Sequence, residues 1–287
     1  IKHNMVWSEQ FFQARKMILP PFKYISVIKY PFLRSVKMDT KKNILIGGIT
    51  GGIGSSVAKL LSSQQHTVMG FARSDDKLTA LKSESPAIQT LNADATDTSD
   101  LKNTFKAAHE AMGSIDVYIH AIGSIIIKPA HLTNQTQWLD TLNINLSSAF
   151  YALKEAVAIM QKQSHGSLIF YSSTAARIGI PNHEAIAASK AGIEALVRSS
   201  AATYSNRNIR FNCIAPGLTD TELAKPITSN PQALEISKKM SPLNAIAQPE
   251  DIANLTAWLA SDSANFVTGQ CFTVDGGIST TVPKPRA

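Results

Sequence analysis

The chain has 287 residues, of which 44% are hydrophobic and 17% charged, ordinary for a globular protein that buries one large core. No apolar run reaches the roughly 18 residues of a membrane-spanning helix, and the two cysteines, Cys213 and Cys271, lie far apart with no CxxC spacing, which argues against a disulfide framework and against a zinc site. The formal net charge is +7, but residues 1–37 alone supply +6 of it, so the pI of about 9.3 describes that segment, and the near-neutral remainder shows no electrostatic footprint for nucleic acid.

Residues 1–37 form a separate piece. They mix aromatics (Trp7, Phe11, Phe12, Phe22, Tyr24, Tyr30, Phe32) with Lys and Arg, and prolines interrupt them at Pro20, Pro21 and Pro31. Three readings stand side by side: a basic targeting segment, an amphipathic arm that contacts a membrane or a partner surface, or an upstream extension of a domain that starts at Met38 and runs over 38–287. Serine is scarce there, which weakens the targeting reading.

From Lys41 onward, strands and helices alternate. Asn43–Ile46 is a short apolar strand ending in a glycine cluster, and Ser55–Ser62 has helical spacing through Val57, Leu60 and Leu61. His66–Phe71 and Ile88–Asn92 are the second and third strands, and Leu101–Ala111 is helical. Ile115–Ala121 is a fourth strand, followed by one long helical pattern over Trp138–Gln161. Ser167–Ser172, Arg210–Ile214 and Gln270–Val274 complete a set of seven strands, with helices at Glu184–Tyr204 and Pro249–Ala260. Strands separated by helix-length segments predict βαβ units, hence one Rossmann-like, doubly wound parallel sheet with helices on both faces. The two cysteines fall on strands, as buried thiols do in a reducing, cytoplasmic setting.

The first strand runs into Gly48-Ile49-Thr50-Gly51-Gly52-Ile53-Gly54 and a helix follows directly. A dinucleotide site needs glycines there because the turn demands backbone angles that side chains forbid, and because the chain must approach the pyrophosphate closely. The helix N-terminus then presents free N–H groups and a positive dipole end to the anion. The spacing is GxxxGxG.

That turn resembles the one in short-chain dehydrogenases/reductases, and the resemblance runs from about Lys41 to Val282. Asp94 and Ala95, in Asn-Ala-Asp-Ala, resemble the segment that contacts the adenine. Asn145 resembles the family's helix asparagine, Ser173 stands in the place of the catalytic serine, and Lys190 in that of the YxxxK lysine. Pro216, Gly217, Thr219 and Thr221 resemble the segment that embraces the nicotinamide, and Val274-Asp275-Gly276-Gly277 resembles the C-terminal VDGG. The resemblance implies hydride transfer between nicotinamide and a carbonyl or alcohol. By default it implies a ketone or 3-oxoacyl substrate, and a homotetramer or homodimer paired through the two long helices. No metal ligands are expected.

The second strand ends at Ala72, where an NAD site places an acid that accepts from the ribose 2′-OH. Arg73 and Ser74 follow, a guanidinium and a hydroxyl suited to a 2′-phosphate, so NADP(H) is the expected cofactor. In the catalytic pattern, a tyrosine four residues before Lys190 should donate the proton; that residue is Ile186, which can neither donate nor accept one. Two further departures lie near it: His120-Ala121-Ile122-Gly123 where the family has Asn-Asn-Ala-Gly, and Gly47 where it has Thr. His183 is the first candidate for a substitute acid. With Asn182 as a helix N-cap, residues 183, 186 and 190 share one helix face, and an imidazole is a competent acid near neutral pH. Tyr171 reads as core, and His120 could touch the cofactor or rebuild the lost Asn contact. Three functions follow: an NADP(H)-dependent oxidoreductase with a rearranged acid, a nucleotide-binding protein without turnover, or a membrane- or partner-associated protein with the fold as a carrier. The segment from Leu218 to about Leu243 should cap the substrate pocket, and its Leu223, Ile227, Leu234 and Met240 suit a modest apolar substrate.

Overall fold

The computed structural model of the protein describes residues 40–282. The basic segment at 1–37 and the start of the domain at Met38 lie outside the described residues. Seven strands form one sheet: β1 (Asn43–Gly47), β2 (Thr67–Ala72), β3 (Gln89–Asn92), β4 (Val117–His120), β5 (Gly166–Tyr171), β6 (Ile209–Pro216) and β7 (Cys271–Val274). Their order is β3-β2-β1-β4-β5-β6-β7, with every neighbouring pair parallel. The strand order reverses between β1 and β4, and in such a sheet the crevice at the carboxyl ends of those two strands is where a ligand sits.

Both faces are covered, so the strands are apolar on both sides. Alternate residues feed two separate cores. Leu45, Phe71, Tyr118, Phe170 and Phe211 face α3 (Thr98–Met112), α5 (Ser148–Gln163) and α6 (Glu184–Tyr204). Their neighbours Ile44, Ile46, Val68, Ile119 and Ile214 face α1 (Gly52–Ser63), α2 (Asp75–Glu84) and α9 (Pro249–Ala260).

Three elements depart from the expected string. The polar stretch Asp75–Glu84 is a helix, α2, capped by Ser74 and anchored by buried Leu78 and Leu81. The long pattern over 138–161 is not one helix: α4 (Gln135–Leu142) passes through a π-helical segment, Asn143–Ser147, into α5. Polar side chains interrupt the ladder there, because Asn145 Nδ2 donates to the Thr141 carbonyl at 2.9 Å and Ser148 Oγ to the Ile144 carbonyl at 2.6 Å. The stretch from Leu218 to Leu243 contains two short helices, α7 (Lys225–Thr228) and α8 (Pro231–Met240).

Candidate active site

One cavity of about 1540 Å³ opens over the carboxyl ends of the strands. At its floor the chain leaves β1 at Gly47 and turns at Gly48, whose φ of +77° is left-handed. A Cβ there would stand 2.6 Å from the Ala121 carbonyl oxygen, and a Cβ on Gly54 would collide with the Gly48 carbonyl oxygen. Both contacts are with backbone, so neither position can accept a side chain without moving the turn. No side chain caps α1, which leaves its first N–H groups pointing out for an anion. Thr50, Gly52 and Ile53 border the cavity beside them. This is a cradle of the kind a pyrophosphate requires.

At one end of the cavity, beyond the second strand, stand Arg73, Ser74, Asp94 and Ala95. The Arg73 side chain is 68% exposed, and its guanidinium lies 3.9 Å from the Asp94 carboxylate. Asp94 is itself held by Thr96, whose backbone N and Oγ1 donate to Oδ1 at 2.9 and 2.8 Å. Lys77, on the first turn of α2, borders the same end. Sequence reasoning missed it because α2 went unseen, although Ser74 followed by Asp75 and Asp76 is a helix-start signature.

At the other end the cavity is bordered by Ser173, His183, Ile186 and Lys190, with Pro216, Gly217, Thr219 and Thr221 opposite. Ser173 follows β5, and its Oγ accepts from the Ala175 N–H at 3.2 Å, leaving its own proton to donate. Lys190 is buried on α6; its ammonium donates to the Tyr171 carbonyl at 3.0 Å, and desolvation pulls its pKa down to about 8. The Ser173 turn is tied to α6 through Glu194, one helical turn beyond Lys190. Glu194 accepts from Ser172 Oγ at 2.9 Å and from Arg177 through a two-pronged pair at 3.0 and 3.2 Å. Opposite, Thr174 Oγ1 donates to the Pro216 carbonyl at 3.1 Å, and the Gly217 N–H donates to the Val274 carbonyl at 2.9 Å. These bonds seat the Pro-Gly segment over the ends of β6 and β7.

Ile186 is buried on the cavity wall, and no hydroxyl replaces the missing one at that position. His183 lies one turn earlier. The expected helix start is corrected here: Asn182 is not the N-cap but sits at a left-handed φ of +64°, and its carbonyl accepts from the Lys128 N–H at 2.7 Å. The backbone of His183 takes the cap position. Its Nδ1 lies 2.7 Å from the Pro181 carbonyl oxygen. A carbonyl only accepts, so Nδ1 carries the proton and Nε2 is the free edge of the ring.

The expectation that His120 touches the cofactor does not hold. His120 is fully buried and is not a cavity residue. Its Nδ1 is 2.8 Å from Tyr118 Oη and its Nε2 is 3.1 Å from Ser148 Oγ. The Ser148 proton is already given to Ile144, so the chain of bonds has one direction: Tyr118 O–H to His120 Nδ1, His120 Nε2–H to Ser148, Ser148 O–H to the π segment. Desolvation, with the Lys190 charge adding to it, holds the His120 pKa down to about 3, so the ring is neutral. Asn145 likewise does not border the cavity. Its Oδ1 accepts from the Ser124 N–H at 3.1 Å, and its Nδ2 donates to Ser124 Oγ and to Thr141, so it fastens the loop after β4 to the π segment. Tyr171 is core, its hydroxyl 2.7 Å from Thr256 Oγ1 and its pKa pushed up by burial. Among the described residues there is no cluster able to hold a metal ion, and no helix is long and apolar enough to cross a membrane.

A family profile described as enoyl-(acyl carrier protein) reductase matches residues 48–279. The chain is 29% identical over 244 residues to a 3beta-hydroxysteroid dehydrogenase from Eggerthella lenta, covering 83% of this chain and 94% of that protein. It is 31% identical over 237 residues to a cis-4-hydroxycyclohexanecarboxylate dehydrogenase from Sinomonas cyclohexanicum, covering 81% and 94%. Among solved structures, a short-chain type dehydrogenase/reductase from Mycobacterium ulcerans superposes with a TM-score of 0.80 at 29% identity, covering 84% of this chain and 91% of that one.

Proposed function

Because this chain belongs to the short-chain dehydrogenase/reductase family of oxidoreductases, we propose that it is an NADP(H)-dependent enzyme that interconverts a carbonyl compound and an alcohol, with His183 as the proton donor. The observation that carries this reading is the convergence on one cavity of the glycine turn, Arg73 with Ser74, and the group Ser173, His183 and Lys190. The two curated relatives are both named for dehydrogenation of a hydroxylated ring compound, which supports a secondary alcohol or its ketone. NADP(H), when bound, supplies or accepts the hydride.

The chain's own residues do the rest. The α1 N-terminus and the glycine turn would hold the pyrophosphate. Arg73 and Ser74 would hold the 2′-phosphate, and no acid at position 72 repels it. Lys190 would hold the ribose, and Asp94 and Ala95 would flank the adenine. Pro216, Gly217, Thr219 and Thr221 would enclose the nicotinamide. Ser173, free to donate, would polarise the carbonyl oxygen. The proton then comes from His183 Nε2–H in the imidazolium form, Nδ1 staying bonded to the Pro181 carbonyl throughout.

The test is binding followed by single turnover. NADPH should bind more tightly than NADH, and a carbonyl panel should oxidise it. His183→Ala should keep the binding and lose turnover by about 10²–10⁴-fold, the ordinary worth of a general acid. Equal rates in wild type and variant would eliminate His183. Ile186, an inert side chain where the family places its acid, favours one rival: a nucleotide-binding protein without turnover, which tight NADPH binding and no oxidation by any carbonyl would establish.

A further inference from the structure

Resting on that reading, we propose that the substrate is a neutral, bulky and predominantly apolar ketone or secondary alcohol whose one polar atom is directed at Ser173. The first reason is the wall. Around the reacting end the wall carries the branched hydrocarbons Ile144 and Ile186, and the polar side chains beside them are few, Ser124, Ser173 and His183. A sugar or a polyol would regain only part of its lost hydration from so few partners.

The second reason is what the outer part leaves uncovered. Leu223, Met240 and Leu243 border the same cavity, yet they are 50%, 42% and 76% exposed. They come from the turn before α7, the end of α8 and the loop after it, so the uncovered surface lines one mouth from several sides. A small ketone at Ser173 would leave them in water. A larger apolar body would bury them, at about tenfold in affinity for each ~55 Å² of apolar surface removed from water.

The third reason is charge. The cations Arg73 and Lys77 border the adenosine end. On the substrate side Glu222 is already paired with Lys225 at 2.6 Å. Asp251 accepts from the Gln248 N–H at 2.8 Å, and Asp275 from the Gly277 N–H at 2.9 Å. Beyond Lys190 and His183, which the reaction uses, no cation among the described residues borders the cavity on this side to hold a carboxylate or phosphate.

The experiment measures kcat/KM with the full chain and saturating NADPH across cyclohexanone, 2-decalone and a four-ring steroid ketone, each beside a carboxylate-bearing counterpart. Equilibrium binding of the same ketones is followed by calorimetry. The expected result is a rise of at least tenfold from cyclohexanone to the larger rings and a loss of about tenfold or more on adding the carboxylate. Leu243→Asp, at a position exposed enough for the fold to accept it, should cut the preference for the largest ketone at least tenfold. Turnover that is flat across the series, or best for the carboxylates, overturns the proposal and leaves the oxidoreductase reading standing. Size-graded binding that Leu243→Asp weakens, with no turnover, supports the site assignment and overturns the oxidoreductase reading instead. Neither binding nor turnover of any neutral ketone overturns the proposal.

Discussion

His120 should make this protein selectively sensitive to mild acid, and the size of the effect follows from its surroundings. The ring is enclosed, with both nitrogens bonded and Lys190 nearby, and it refuses a second proton until about pH 3. In the unfolded chain a histidine takes that proton near pH 6.5. Between those values the unfolded state binds more protons than the folded one, so stability falls as the pH drops through the window. From pH 7 to pH 5 the loss is about 1.4 kcal/mol for each of roughly 1.5 pH units below the unfolded value, or about 2 kcal/mol. For a domain of this size that lowers the melting temperature by about 4–8 °C. His120→Asn keeps an acceptor toward Tyr118 and a donor toward Ser148 but cannot ionise, so it should lose less over the same interval. Urea denaturation of both proteins at pH 7 and pH 5 isolates the difference, because every other titrating group is common to both. A pH-dependent loss equal in the two proteins to within about 0.5 kcal/mol would refute the assignment of His120 as a buried neutral ring.

Three further outcomes follow from the same geometry. Arg73→Glu should weaken NADPH binding about 10–100-fold and leave NADH unchanged or improved, since a charge-assisted bond to the 2′-phosphate is replaced by repulsion and an acid becomes available to the 2′-OH; competitive fluorescence titration reads both. Lys190→Met should abolish turnover yet raise stability at pH 7 by about 2 kcal/mol: the folded amine ionises near pH 8 and the unfolded one near 10.5, so below pH 8 the charged form is penalised by about 3.4 kcal/mol, of which loss of the bond to the Tyr171 carbonyl gives back about 1. That gain should fade as the pH rises from 8 to 10.5, and a pH-independent difference in urea midpoint would count against it. Glu194→Ala should cost about 1–2 kcal/mol by leaving the two-pronged Arg177 contact without its acceptor, while the Ser172 hydroxyl turns to the Lys190 carbonyl 3.2 Å away, seen as a lower urea midpoint with unchanged slope.

Much of the architecture was legible because a parallel sheet buried on both faces writes itself as short apolar runs with helix-length spacers. The glycine turn was legible for a harder reason, since backbone carbonyls stand where the Cβ atoms of residues 48 and 54 would be. What escaped has equally definite causes. α2 carries only Leu78 and Leu81 as apolar anchors, too few for a periodic signal, and only its cap announces it. The break between α4 and α5 is invisible to periodicity because apolar residues continue through it; the cause lies in two polar side chains, Asn145 and Ser148, bonding backward to their own helix. Asn182 resembles a cap in sequence, and only the left-handed backbone with its bond from Lys128 shows that it serves the turn instead.

The departures around the site looked independent in the sequence, and the structure makes two of them one event. A Cβ at residue 47 would stand 2.9 Å from Tyr118 Oη and 2.9 Å from the Phe71 ring, so any side chain there would collide with the tyrosine. Glycine at 47 is what admits the Tyr118 hydroxyl, that hydroxyl donates to His120, and His120 passes its own proton outward to Ser148 in the π segment that carries Asn145. A histidine at 120 without this partner would be a buried polar ring with one nitrogen unsatisfied, at a cost of about 1–3 kcal/mol. Restoring a larger residue at 47 should therefore be destabilising while His120 and Tyr118 remain, and less so in their absence. Ile186 belongs to no such set: it borders the cavity as plain hydrocarbon, with nothing rebuilt around it at that position. The compensated changes concern how the scaffold is held, the uncompensated one concerns the cavity wall, and that asymmetry is why we propose a proton donor elsewhere on that wall, at His183.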